Sequence, residues 1–229
     1  MLLVAAVNAN AASRPAVIEL YTSEGCSSCP PAEKLLEELA KQPDVLPLAF
    51  HVDYWDELGW RDRFSMPEAT QRQQAAAQTL ALKTVGTPQW VVEGRTAVWG
   101  VSKQALSQAV KASRTALAVD TVRKGSELIV RAAAPPASEQ YDVYVVGYLP
   151  KAVTAIGRGE NAGRTLTEVN VVRYIRKIGT SRDATREWSV SLDRMPKDAE
   201  RLAILLQQPT SGAIVGVAQI ELTSTLAAR

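Results

Sequence analysis

Both cysteines of the chain lie in one short segment, T-S-E-G-C-S-S-C-P-P over residues 22–31, as Cys26 and Cys29. A C-x-x-C pair can exchange disulfides, supply half of a zinc site or form an inert cross-link. Pro30 and Pro31 fit only in the first turn of a helix, so we expect a helix to begin beside Cys29. The free N–H groups of such a turn favour a thiolate, which predicts that Cys26 attacks and Cys29 resolves the mixed disulfide.

The two alternatives to redox chemistry have weaker support in the sequence. A structural zinc site needs further ligands, but the chain has no other cysteine and its one histidine is His51. An inert cross-link over so short a loop would stabilise the fold little through chain entropy. Two thiolates and an imidazole do suit Cu(I), so a copper-delivery protein that binds the metal through Cys26, Cys29 and His51 is the second hypothesis.

The segments around the cysteines have an α/β order. In chain order they are a strand at 17–21, a helix at 32–39, a strand at 45–52, a helix from Pro67 to about Leu82, a hairpin at 89–98 and a helix capped by Ser102. The order β-α-β-α-β-β-α, with C-x-x-C between the first strand and the first helix, is the thioredoxin arrangement. We therefore expect a thioredoxin-like domain over residues 14–116.

Five more residues of this part are candidates for the same site. In thioredoxin-like folds a cis-proline precedes the third strand and faces the cysteines, so Pro88 with Thr87 is expected to shape substrate access. His51 and Asp53 follow the second strand, at the sheet edge to which the first strand delivers the cysteines. Histidine would stabilise a thiolate or move its proton, and Asp53 could orient the ring. Glu19 is the candidate for a buried proton-relay carboxylate, although strand alternation could turn it to the opposite face.

From about Leu117 the pattern changes to short, β-rich segments separated by turn residues. They are residues 127–130, 141–148, 169–178, 188–192, 202–206 and 214–222. This spacing predicts an all-β antiparallel sandwich-like domain over residues 117–229 that follows the thioredoxin-like domain. Between two of these strands, the Gly/Arg/Asn-rich stretch 157–168 lacks the strand-turn-helix context of a phosphate site. We expect it to be an ordered loop between strands, and a further hypothesis is that it covers the cysteine face or docks on a partner.

The N-terminus indicates export. The opening M-L-L-V-A-A-V-N-A-N-A-A is a short apolar stretch without a basic region, and it ends in Ala9-Asn10-Ala11, which is typical of a signal-peptidase site. We interpret residues 1–13 as the remnant of a signal peptide. The expected location is periplasmic or secreted, where a cysteine pair can persist as a disulfide.

The composition excludes several classes of partner. The formal net charge is +2, with 46% hydrophobic and 22% charged residues, as in ordinary globular proteins. Neither half of the chain has the concentrated positive charge of a nucleic-acid-binding protein. No apolar run approaches the roughly 18 residues that cross a bilayer. The absence of a P-loop and of a G-x-S-x-G elbow argues against nucleotide-dependent enzymes and hydrolases.

Four longer stretches allow a comparison with known families. They read V-I-E-L-Y-T-S-E-G-C-S-S-C-P-P-A-E-K-L-L, F-H-V-D-Y-W-D-E-L-G-W-R-D-R-F, T-P-Q-W-V-V-E-G-R and G-R-G-E-N-A-G-R-T-L-T-E-V-N-V-V-R. Together they resemble the secreted, thioredoxin-like proteins of bacteria that are catalogued as a domain family of unknown function. The resemblance implies a thioredoxin-like fold and export from the cytoplasm. Compared with thioredoxins proper, Gly25 replaces an aromatic residue and Ser-Ser replaces Gly-Pro between the cysteines, which leaves the redox potential open.

The function predicted from the sequence is an exported thiol–disulfide oxidoreductase or redox carrier. Its reactive group is the Cys26–Cys29 disulfide, it needs no organic cofactor, and its partners are protein thiols or disulfides. Cu(I) binding and delivery is one alternative. The other is a non-catalytic thioredoxin-like binding module whose disulfide is never exchanged.

Overall fold

The computed structural model describes residues 14–112, 114 and 116–222, so the predicted signal-peptide remnant at 1–13 lies outside the described part. The first seven elements are β1 (Ala16–Thr22), α1 (Pro30–Leu39), β2 (Val45–His51), α2 (Pro67–Thr79), β3 (Gln89–Val92), β4 (Thr96–Trp99) and α3 (Lys103–Val110). The predicted order β-α-β-α-β-β-α is confirmed. None of the helices in the described residues is long and apolar enough to cross a membrane.

Local sequence explains where these helices begin. Pro30 and Pro31 occupy the first turn of α1, directly after Cys29. Their missing N–H groups are not needed there, since the first turn of a helix has no acceptors for them. Ser102 precedes α3, and its Oγ accepts a hydrogen bond from the Ala105 backbone N–H at 3.3 Å. These two helix starts follow directly from the residue types.

The second part of the chain is almost wholly extended. Its elements are β5 (Val119–Lys124), β6 (Glu127–Ala132), β7 (Asp142–Ala155), β8 (Thr165–Thr180), β9 (Glu187–Ser191), a 3₁₀ turn (Leu192–Arg194), β10 (Arg201–Gln207) and β11 (Ile214–Glu221). Every segment predicted as a strand is a strand. The sequence pattern did not indicate β5, and it gave much shorter bounds for β7 and β8, which form a hairpin of 14 and 16 residues.

The predicted packing of these strands is wrong. Strands β7, β8, β10 and β11 continue the sheet of β1 to β4 as one mixed eight-stranded sheet, in the order β11-β10-β7-β8-β2-β1-β3-β4. Strands β5, β6 and β9 form a small three-stranded sheet. The molecule is therefore not a thioredoxin-like domain followed by an all-β sandwich. The reason lies in β2, which is buried along its whole length and needs a neighbour on both edges; β8 supplies the second one.

The junction between β2 and β8 depends on one side chain. The strands are parallel and share the register pair Ala49 and Val171. Pro47 of β2 has no N–H to give to a ladder. Asn170, whose φ is +49°, turns out of the regular strand and donates its side-chain amide to the Pro47 carbonyl at 2.9 Å. This contact fixes the β7–β8 hairpin beside the strands that lead to the cysteines.

Two layers of side chains sandwich the central sheet. On one face, α1 packs through Ala32 and Leu36 against Ile18 and Leu20 of β1. The alternate residues of β1, Val17 and Tyr21, belong to the core on the α2 side. Strand alternation thus assigns each residue of β1 to the α1 face or the α2 face. The three-stranded sheet packs on the C-terminal part of the large sheet through a separate apolar core.

Candidate functional site

The sequence-predicted cysteine pair is joined. Cys26 and Cys29 form a disulfide with their Cα atoms 5.4 Å apart, between the end of β1 and the first turn of α1. The Cys29 carbonyl accepts the N–H groups of Ala32 and Glu33 at 2.8 and 3.1 Å, so this residue is the start of the helix. The Ser28 hydroxyl lies 3.3 Å from Cys26 Sγ, where it could donate to a thiolate. The polar contact to a sulfur of this pair is therefore a side-chain hydroxyl, that of Ser28.

Both cysteines are closed off from solvent. Their exposed fractions are 0% and 1%, although Ser27 and Ser28 between them are exposed. The tip of the β7–β8 hairpin, residues 156–164, contacts the backbone of the cysteine turn, and we call it the covering loop. Asn161 Nδ2 donates to the carbonyls of Glu24 and Cys26, each at 2.9 Å. The covering loop therefore contacts the cysteine turn, which is one of the two roles that its sequence suggested.

Two further contacts hold the covering loop in place. Glu160 Oε2 accepts the Ser27 N–H at 3.1 Å, and the Ser27 side chain, with this backbone bond, lowers the pKa of Glu160. Gly159 has φ +76°, and a β-carbon at this position would lie 3.0 Å from Trp60 Cβ. Only glycine combines that backbone conformation with so close an approach. The loop is thus packed on Trp60 as well as hydrogen-bonded to the cysteine turn.

Thr87 and Pro88 are connected to the cysteine turn through a tryptophan. The Thr87–Pro88 peptide bond is cis. Trp55 Nε1 donates to Thr87 Oγ1 at 2.8 Å, and a β-carbon at position 25 would lie 3.3 Å from Trp55 Cβ. This crowding explains why Gly25, and not a larger residue, stands before Cys26. Trp55 thereby has a positioning role in addition to packing.

Five buried ionisable side chains lie together beside the elements that carry the cysteines. This ionisable cluster consists of Glu24, Glu33, His51, Asp62 and Glu168. His51 Nδ1 is 2.7 Å from Asp62 Oδ2, and His51 Nε2 is 3.8 Å from Glu168 Oε1. Glu33 follows Cys29 by one helical turn and Glu24 precedes Cys26 by two residues, so the cluster is continuous with the cysteine turn.

Several polar atoms of the ionisable cluster have no hydrogen-bond partner among residues 14–112, 114 and 116–222. They are both carboxyl oxygens of Glu33, Oε1 of Glu24 and Nε2 of His51. Other atoms are well bonded: Asp62 Oδ2 accepts the Glu24 N–H at 2.8 Å, and Glu24 Oε2 accepts Trp60 Nε1 at 2.7 Å. Leaving buried polar atoms without partners is costly, so such atoms are rare unless they serve a purpose.

The environment of the ionisable cluster keeps protons on it. Burial lowers the pKa of His51, but the Asp62 and Glu168 carboxylates outweigh burial and raise that pKa to about 10. Burial raises the pKa of Glu168 to about 8, against the opposing effect of His51. Burial also raises the pKa of Glu33. Burial would raise the pKa of Asp62 as well, but His51 holds it below the usual value. At neutral pH the cluster contains a charged imidazole and a protonated Glu168.

Two predicted residues lie away from the disulfide. The Asp53 carboxylate accepts a hydrogen bond from the Thr70 hydroxyl, and the Asp53 N–H donates to Thr70 Oγ1 at 3.2 Å. The carboxylate that contacts and orients His51 is that of Asp62 and not that of Asp53. Glu19 lies on the α2 face of β1, where it pairs with Arg72 and accepts the Tyr21 hydroxyl at 2.8 Å. It does not reach the cysteines, as strand alternation allowed.

The residues of the copper hypothesis are not arranged as a metal site here. In the described part of the chain, no group of three or more His, Cys, Asp or Glu side chains could hold a metal ion. The two sulfurs are bonded to each other, and His51 Nδ1 is engaged with Asp62. Copper delivery through Cys26, Cys29 and His51 thus stays a prediction for the reduced protein.

Sequence reasoning missed most of the ionisable cluster and the contacts of the covering loop. Glu33 follows Cys29 by four residues, a spacing that places both on one helix face and could have marked it. Asn161 and Glu160 lie in G-R-G-E-N-A-G, one of the stretches that carried the family resemblance. Nothing local marks Glu168, since its role depends on the pairing of β8 with β2.

The comparisons with known proteins support a family and an architecture. A family model described as a protein of unknown function, DUF1223, matches residues 17–207. The curated proteins contain no match. The X-ray structure of a structural-genomics target protein from Agrobacterium tumefaciens is 26% identical and superposes with a TM-score of 0.80, covering 95% of this chain and 98% of that one. The chain therefore belongs to the DUF1223 family.

Proposed function

We propose that this member of the DUF1223 family is a thiol–disulfide oxidoreductase or redox carrier that works through Cys26 and Cys29. The observation that carries the proposal is the closed disulfide at the β1–α1 turn with the ionisable cluster beside the elements that carry it. Reduction of a disulfide to two thiols takes up two electrons and two protons. Electrons come from the partner, and His51 and Glu168 hold protons within the same buried region.

The reaction with a reduced partner has two steps. A partner thiolate attacks Cys26 Sγ, the Cys26–Cys29 bond breaks, and Cys29 leaves as a thiolate that takes a proton. A second partner thiol then attacks the mixed disulfide and releases Cys26. The partner becomes a disulfide and this protein a dithiol, and an oxidised partner drives the same steps in reverse. The Ser28 hydroxyl beside Cys26 Sγ supports Cys26 as the nucleophile of that reverse reaction.

The proposal includes the compartment and the partner class. We place the protein in the bacterial periplasm or outside the cell, because a disulfide of this kind persists in oxidising surroundings. Its partners are protein thiols or disulfides. No organic cofactor takes part, since the cysteines carry the electrons.

Equilibration in glutathione redox buffers, followed by thiol trapping and mass spectrometry, tests this function. The dithiol fraction of the native protein should rise as the square of the reduced glutathione concentration, divided by the oxidised glutathione concentration, increases. Cys29→Ser should accumulate a glutathione adduct on Cys26, and Cys26→Ser should lose two-step exchange.

The control is the same disulfide in denaturant, where it must be reduced. A disulfide that is reduced in denaturant but never exchanges in the folded protein would contradict the proposal. That result would favour a non-catalytic binding module.

A further inference from the structure

We infer that the covering loop, residues 156–164, is a lid over the disulfide and that Asn161 is the residue that holds the lid shut. The inference rests on the proposed function and specifies how access to its reactive sulfurs is controlled. A thiolate must approach along the S–S axis to displace a sulfur. Since Cys26 and Cys29 are 0% and 1% exposed, no partner atom reaches that position while the loop is closed.

The contacts of the lid are few and reversible. Asn161 donates both amide hydrogens to main-chain carbonyls of the cysteine turn, those of Glu24 and Cys26. Its Oδ1 accepts Arg164 Nη1 at 3.0 Å, so the whole amide group is engaged. Glu160 adds one bond to the Ser27 N–H. These bonds join side chains of the loop to the backbone of the turn, and none belongs to the β-sheet.

The lid can move without damage to the sheet. The β7–β8 ladder ends at the pair Ala155 and Thr165. Beyond it, the loop closes on itself, because the Ile156 N–H bonds to the Arg164 carbonyl at 2.9 Å and the Gly163 N–H bonds to the Ile156 carbonyl at 2.8 Å. The tip therefore has its own internal hydrogen bonds, and its displacement breaks contacts with the cysteine turn, Trp60 and Gly59 without breaking the β7–β8 ladder. Local opening of a folded protein occurs most easily in segments that have few stabilising contacts with the rest of the molecule.

Asn161→Ala should raise the rate at which the folded, oxidised protein is reduced. Each lost hydrogen bond destabilises the closed loop modestly, so the open fraction and the rate should rise roughly tenfold. Glu160→Gln removes the charge that faces the Ser27 N–H and should raise the rate about threefold. Arg158→Ala changes an exposed side chain of the same loop and is the matched control; its rate should equal that of the unaltered protein.

The rate is measured with excess dithiothreitol, which is oxidised to its cyclic disulfide as the protein gains two thiols. At intervals the thiols of a sample are trapped by alkylation, and their number is determined by mass spectrometry. Thermal unfolding of each variant shows that it is folded. If Asn161→Ala is not folded, Glu160→Gln decides, because Glu160 is exposed. If the unaltered protein and every folded lid variant were reduced at equal rates, the proposal that the loop is a lid would be wrong.

The two proposals fail in different ways. If the lid variants react faster with dithiothreitol but no form equilibrates with glutathione, the lid stands and the oxidoreductase proposal falls. If the unaltered protein equilibrates with glutathione and the lid variants react no faster, the oxidoreductase proposal stands and the lid falls.

Discussion

The two faces of β1 each bury charged side chains, but they do so in opposite ways. On the α2 face, Glu19 and Arg72 form a buried ion pair. Arg72 also donates to Gln207 at 3.2 Å, and its guanidinium lies 5.5 Å from the rings of Phe50 and Tyr144. One positive charge meets one negative charge, and both oxygens of the carboxylate are bonded.

On the α1 face, the ionisable cluster combines four carboxyl groups with one imidazole and leaves several of their atoms without partners. The Arg63 side chain is half-exposed, and its Nε lies 3.8 Å from Glu24 Oε1. In the Glu19–Arg72 pair the two buried charges compensate each other, which offsets the cost of their desolvation. The ionisable cluster lacks such a balance, so the two faces differ in how completely their buried charges are compensated.

The largest expected effect is on the α2 face. Arg72→Met leaves Glu19 buried without its cation and should lower the free energy of unfolding by about 3–5 kcal/mol. Urea unfolding followed by circular dichroism measures it. The double variant Glu19→Gln, Arg72→Met should regain most of the loss, and its exchange with glutathione should match the unaltered protein. If the double variant exchanged with glutathione at a different equilibrium, the α2 face would also affect the disulfide, and the proposed difference between the two faces would be wrong.

A smaller effect is expected within the ionisable cluster. Asp62→Asn removes the carboxylate that holds His51 charged and should destabilise the protein by about 2–3 kcal/mol. Burial disfavours the charged imidazole, and without the Asp62 carboxylate less negative charge offsets that effect. The pKa of His51 should therefore fall from about 10 towards or below 6.5. His51 is the only histidine, so its ring resonances can be followed directly by NMR during a pH titration. An unchanged titration would show that Asp62 does not set the charge of the ring.

The pH dependence of stability should also come from the α1 face. The folded pKa values of His51 and Glu168, about 10 and about 8, lie above their ordinary values of 6.5 and 4.5. A group with a raised folded pKa contributes stability that is complete below the ordinary value and is lost as the pH rises through the folded value. Stability should therefore fall between pH 5 and pH 10 by several kcal/mol, since each unit of raised pKa corresponds to about 1.4 kcal/mol.

Urea midpoints across this pH range measure the decline. Glu168→Gln should flatten it between pH 5 and pH 8, while Glu19→Gln should leave its slope unchanged. Stability that rises over the same range would contradict the assignment of protons to the cluster.

The smallest effect on stability is expected for Glu33→Gln. Among the described residues Glu33 has no well-aligned hydrogen bond, although burial raises its pKa and the nearby Thr22 hydroxyl lowers it somewhat, so the change should alter the free energy of unfolding by about 1 kcal/mol or less. The rate of disulfide exchange as a function of pH should nevertheless shift, because a titrating group near Cys29 is lost. Glu37→Gln on the exposed face of α1 is the matched control. Identical pH profiles for both variants would make Glu33 a passive buried residue.

The sequence predicted local structure well and long-range pairing poorly. The start of α1 follows from Pro30 and Pro31, and the cysteines lie as predicted because strand, turn and helix are consecutive. The pairing of β8 with β2 joins Ala49 to Val171, and no periodicity within either segment encodes that partner. The fold class was wrong for this reason. The cluster residue Glu168 and the lid residue Asn161 were missed because both reach the site through that pairing.

The β7–β8 hairpin sets a distance as well as a topology. Its middle is anchored beside β2 at Val171, and its tip reaches the cysteines some six residue pairs further on. Each strand residue advances the chain by about 3.3 Å, so two extra residues in each arm beyond the anchor would carry Asn161 about 7 Å past the carbonyls that it contacts. The sheet would keep its order while the sulfurs became accessible. The number of residues between Val171 and the tip thus helps to determine how accessible the disulfide is to solvent and partners.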